Sequence, residues 1–262
     1  MREGKDLDEV WALARRVLED SSPLELTAET RGLISRTAQQ VAISQQDAEE
    51  ALRSLPTAIP LLRQIHQRIR DGSNRLDESR DRADELQQQG DYSAAQQVMR
   101  DLLAVEVVPF YRELAEVILN KVTRLAEVYA TGRIHPDLPD RPQLAALSQR
   151  VQQGHALELT DDLRALLHRT APTAAVSETE TEEALKSPGG AEAIMRMILS
   201  RFQKAERRFL RSMYRMTSLR DAGDVEGARQ QMRDVLAVEV VPLYREMAEE
   251  QLRGLDSPPS ES

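Results

Sequence analysis

The sequence repeats itself at an offset of 133 residues, and that repeat limits the possible folds more than any other feature. Gly90 matches Gly223, Pro109 matches Pro242, Leu24 matches Leu157 and Glu49 matches Glu182, with no gap between them. Between residues 90–116 and 223–249, 19 of 27 positions are identical, including the unbroken run LAVEVVP. Weaker matches lie upstream, in LELT at Leu24 and Leu157, RTA at Arg36 and Arg169, and EEAL at Glu49 and Glu182. Each copy must therefore solve the same packing problem, and a reading made on one can be checked on the other. The segment 132–142 holds three prolines and a glycine and reads as a connection between the copies. The expected organisation is a first module at 6–130, a Pro-rich linker at 131–140, a second module at 141–255 and a disordered tail at 256–262.

Hydrophobic spacing assigns each module to helices. Leu7, Val10, Trp11, Ala14, Val17 and Leu18 recur at three- and four-residue steps, and Leu144, Leu147 and Val151 repeat the pattern in the second copy. Thr27 and Thr160 stand where an N-cap opens a second helix, which should run to about Ala38 and Ala171. Ser44 and Ser177 open a short third helix in capping-box fashion. A long fourth helix carries Ile198, Phe202, Ala205, Phe209, Met216 and Leu219 in heptad-like spacing. The first copy follows less regularly with Ile65, Ile69, Leu76, Ala83 and Leu86, its seam weakened by Gly72 and Ser79. Gly90-Asp91 and Gly223-Asp224 supply a left-handed C-cap followed by an N-cap, so the chain should reverse into a hairpin. The fifth helix places Ala95, Met99, Leu102, Leu103, Val105 and Leu114 on its expected buried side. Pro109 and Pro242 fall within it and predict a kink or short break near Val108 and Val241. The fold class is all-α: two tandem five-helix modules, each with three short helices followed by a long antiparallel helical hairpin kinked at a proline.

Composition narrows the function classes. The 262 residues carry a formal net charge of -9, which disfavours general binding to nucleic acid or anionic membrane. No cysteine is present, so disulfides, thiolate metal sites and a cysteine nucleophile are excluded, and a reducing compartment fits. Charges run through the N-terminal segment, which lacks the apolar core of a signal peptide, and no apolar run is long enough to span a bilayer. A cytoplasmic location is expected.

Taken with the duplication, LELT, EEAL, the Gly-Asp turn and the segment RDVLAVEVVPLYREMAE resemble the DUSAM family, myxobacterial proteins in which this domain is commonly duplicated. The likeness spans nearly the whole chain except linker and tail. It is closer in the second half, since copy 1 departs between Arg75 and Gln88. The resemblance implies a duplicated helical architecture and a bacterial cytoplasmic setting, and it brings no activity and no residue roles.

The chemistry-bearing residues do not assemble into a known catalytic pattern. His66, His135, His155 and His168 have no histidine at the matching position of the other copy, and HExxH, the P-loop, GxGxxG and Glu-x-x-His are all missing. No enzyme activity, cofactor or metal is therefore expected. Two polar features remain. Glu106 and Glu239 interrupt the apolar run, followed by Tyr111-Arg112 and Tyr244-Arg245; they form either an ion pair within the module near the proline or an exposed recognition spot. In copy 2, residues 196–220 hold eight Lys or Arg against Glu206, whereas the matching window 63–87 balances six Arg with six acids. Arg201, Lys204, Arg207, Arg208, Arg211 and Arg215 are the candidate partner-binding residues of this basic amphipathic helix. The leading expectation is a non-enzymatic interaction or scaffold protein whose partner is another protein. The alternative is a nucleic-acid-binding regulator using a helix-turn-helix-like unit at 27–53 or the basic helix 196–220.

Overall fold

The structure is a computed structural model that describes residues 2–256. The tail expected at 256–262 lies outside the described residues apart from Asp256, which ends the last helix. Twelve α-helices and no strand occur among the described residues, and the chain divides into two compact units, Met1–Ala126 and Glu127–Ser262.

The first unit is built from α1 (Arg2–Leu18), α2 (Ala28–Gln40), α3 (Gln45–Ala51), α4 (Leu55–Gln88), α5 (Tyr92–Val105) and most of α6 (Pro109–Thr131). The second repeats the series as α7 (Asp140–Gln152), α8 (Asp161–Thr170), α9 (Glu178–Ala184), α10 (Pro188–Asp221), α11 (Val225–Val238) and α12 (Pro242–Asp256), with one extra 3-10 turn at Pro172–Ala174. Each hydroxyl cap read from the sequence is in place. Thr27 accepts the Thr30 amide, Thr160 the Leu163 amide, Ser44 the Asp47 amide and Ser177 the Glu180 amide; around Ser177 the reciprocal capping box is complete. Gly90 and Gly223 adopt φ of +81° and +84°, and Asp91 and Asp224 then cap α5 and α11. The long α4 and α10 thereby turn back along α5 and α11 as hairpins.

The core of each unit follows the expected stripes. Leu7, Val10 and Ala14 are buried in α1, as are Leu144 and Leu147 in α7; Ile198, Phe202, Ala205, Phe209 and Met216 are buried along α10. Gly72 does more than interrupt the α4 seam. A Cβ placed on it would lie 2.4 Å from the Tyr111 ring, so the missing side chain is what lets that ring sit against the helix.

The short break expected near Val108 and Val241 is present and splits the fifth helix in two: α5 stops at Val105 and α11 at Val238, and after three intervening residues Pro109 and Pro242 open α6 and α12. Proline has no N–H to lose at the first position of a helix and its φ is already helical, so the chain uses it as a start rather than tolerating it inside. Val105 and Leu114, expected inside, are exposed, Val105 by 62%. The segment between the copies makes ordered contacts within the second unit. Leu138 is buried, the His135 amide donates to Gln143, Gln143 donates to the Leu138 carbonyl, and Arg150 caps the Tyr129 and Ala130 carbonyls at the end of α6.

Candidate functional site

The three-residue break between α5 and α6, and its twin between α11 and α12, gather a set of polar residues shared by the copies. Glu106 leaves the helix with extended backbone, φ -73° and ψ 127°, and Glu239 does the same at -79° and 130°. Side chains alternate sides along extended chain. Glu106 therefore points inward (2% exposed), Val107 outward (53%) and Val108 inward (0%); Glu239, Val240 and Val241 repeat the order at 3%, 56% and 0%. A charged residue is buried and a valine exposed, the reverse of what side-chain polarity alone would predict.

The buried carboxylates are fully partnered. Arg75 of α4 donates twice to Glu106 Oε2, at 3.0 and 2.8 Å, and Glu106 Oε1 accepts the Val108 amide at 2.8 Å. In the second unit Arg208 donates to Glu239 Oε2, and Oε1 accepts the Val240 and Val241 amides, both at 2.9 Å. The charge is thus paired with a half-exposed guanidinium, and each carboxylate caps the amides that open the next helix. From the other side, Arg112 donates to the Leu103 and Glu106 carbonyls at 2.6 and 2.8 Å, and Arg245 to those of Leu236 and Glu239, both at 2.8 Å. These contacts satisfy carbonyls left free at the end of the preceding helix. Tyr111 and Tyr244 are buried beside the break; burial raises both hydroxyl pKa values, with Ser73 beside the first and Arg141 beside the second acting in the opposite direction. Glu106 and Arg112, like Glu239 and Arg245, thus brace the break from within their own unit, with Tyr111 and Tyr244 buried beside them.

The basic helix divides into two groups. Arg201 donates to the Ala174 and Ala175 carbonyls, as Arg68 does to Val41 and Ala42 in the first unit, and Arg208 is taken up by Glu239. Lys204, Arg207, Arg211 and Arg215 are exposed. Together with Arg208, Val235, Val238 and a single acid, Asp234, they line an open groove of about 480 Å³ between α10 and α11. The one acid in this helix window does not offset them, because Glu206 is held at 2.8 Å by Arg141 of α7, whose guanidinium also lies over the Phe202 ring.

The brace exposes what the sequence reading placed inside or left unremarked. Val105 and Val107 in the first unit, and Val238, Val240, Leu243 and Met247 in the second, form apolar surface at each break. The available signal was the identity of LAVEVVP in both copies, which extends to valines that the core does not use. Among the described residues no group of three His, Asp or Glu side chains converges as a metal site, and no helix is long and apolar enough to cross a membrane.

Fold and site together define a duplicated all-helical protein in which each copy braces a helix break and turns valines outward from it. The chain matches the family described as a protein of unknown function, DUF2379, over residues 5–122 and again over 139–255, and it belongs to that family. No curated protein and no solved structure matches it.

Proposed function

We propose that the chain is a non-enzymatic protein–protein interaction protein in which each braced break is a docking surface, with the cytoplasm as its compartment and the DUSAM-like group as its kin. One observation carries this reading. The exposed valines at 105 and 107 recur at 238 and 240 although neither pair contributes to a core. Repeated apolar exposure on a rigid, fully hydrogen-bonded corner suits a partner surface, where a dry centre contributes more than a polar rim. Lys204, Arg207, Arg211 and Arg215 beside Val238 add a positive rim in the second unit and favour a partner with acidic groups.

Nucleic acid is the weaker alternative. The unpaired basic stripe supports it, but α9, the second helix of a helix-turn-helix-like unit, exposes Glu178, Glu180, Glu182 and Glu183, which would be driven from phosphate. Affinity capture from cell lysate separates the two. The intact chain should retain a defined set of proteins that is lost when Val105, Val107, Val238 and Val240 are changed to Asp, with the melting curve unchanged. Recovery of nucleic acid alone, released by salt and indifferent to the valines, would overturn the reading.

A further inference from the structure

The two units present the same face with opposite charge. In α10 the stripe is Lys204, Arg207 and Arg211; the residues at the same positions of α4 are Asp71, Asn74 and Glu78. Beside the stripe, exposed Leu210 and Tyr214 are replaced in α4 by Asp77 and Asp81. Residues 204–218 hold five basic and one acidic side chain, a net of +4, and residues 71–85 hold three basic and six acidic ones, a net of -3. Some acids of α4 are engaged locally: Arg70 meets Asp71 at 3.3 Å, Arg80 meets Asp77 at 3.1 Å, and Arg82, the counterpart of Arg215, meets Glu85 at 3.0 Å. Even so, acids outnumber bases two to one on that window, while the four cations of α10 are exposed. The apolar rim beside each stripe is the same residue in both units, Val105 at 62% and Val238 at 58% exposure.

We propose that a second copy of this chain is the partner, the acidic α4 face of one molecule docking on the basic α10 face of another with Val105 and Val238 at the centre of the contact. This rests on the reading of the braced breaks as docking surfaces. Common descent gives the two faces the same scaffold, and the substitutions have made them complementary instead of alike. Like faces would repel, so the pairing is specific for unit 1 against unit 2. A partner of another kind has no such match already present in the molecule.

Sedimentation equilibrium of the full chain tests this. The wild type is expected to exceed the mass of one chain at low salt, with an affinity that falls at least about tenfold on moving to 0.5 M salt, because the paired charges are exposed. Replacing the basic stripe by the residues of the other unit (Lys204→Asp, Arg207→Asn, Arg211→Glu) leaves two acidic faces and should give a monomer. The opposite exchange (Asp71→Lys, Asn74→Arg, Glu78→Arg) leaves two basic faces and should do the same. Mixing the two variants, or combining both exchanges in one chain, should restore the higher mass. None of the basic residues exchanged is bonded within its unit, so helicity by circular dichroism should be unchanged. A wild type that stays at the mass of one chain, or a double exchange that fails to restore association, overturns the proposal. If the wild type is monomeric while the valine variant still loses captured protein, only this inference falls and the docking surface stands.

Discussion

Glu106 and Glu239 define the module at the level of single residues. Each carboxylate is nearly inaccessible, yet it accepts from a guanidinium and from amides of the break, so its burial is compensated bond by bond. Glu106→Ala is expected to destabilise the first unit by about 2–4 kcal/mol, since it strands both the Arg75 charge and the Val108 amide. Denaturant unfolding checks this, and Glu106→Gln, which keeps an acceptor, should cost less. His66 gives a pH dependence. Burial against Trp11, with ring centroids 4.1 Å apart, pushes its pKa below the ordinary value, Arg70 adds to that and Glu19 opposes it; its Nε2 has no partner. The unfolded chain then takes up this proton more readily than the folded one. Stability should fall as pH drops below about 6.5 and level off once folded His66 is protonated. Unfolding of His66→Leu, which installs the residue found at Leu199, should lose that part of the slope.

Helices and their ends were the legible part of the sequence. Local chemistry sufficed for the caps at Thr27, Ser44, Thr160 and Ser177 and for the Gly-Asp turns, because each is decided by residues three or four positions apart. Glu106 and Glu239 were also legible as polar intruders in an apolar run, with a proline close by. Which side each residue of the break faces was not, because the helical period ends at Glu106 and Glu239, whose backbone is extended, and that change of period turns Val107 and Val240 outward. The offset does separate Arg208, matched by Arg75, from Arg207, matched by Asn74, but that the matched arginines reach Glu239 and Glu106 is decided only by the packing of the long helix on the next. The same limit applies to Gly72, which looks like a flaw in the seam and is a seat for Tyr111. Gly72→Ala is expected to cost about 1–3 kcal/mol in thermal unfolding despite better helix propensity, because ring and helix must separate.

Across the whole chain, duplication has kept one thing and varied another. The arginine and glutamate brace is the same in both units, down to the carbonyls that Arg112 and Arg245 cap. The long helix beside it has changed sign, from the acids of α4 to the unpaired cations of α10. On the proposed reading, the shared brace with its shared exposed valines is the common working surface, and the charge beside it sets what each unit accepts. Photo-crosslinking tests that most directly: a photoreactive residue is placed at Val107 or Val240 in the full chain, with exposed Glu29 and Asp162 as control positions, and the chain is irradiated in cells. Discrete protein adducts at 107 and 240, absent at 29 and 162, are expected. No adducts at 107 and 240, or the same pattern at all four positions, would contradict a docking role for the break.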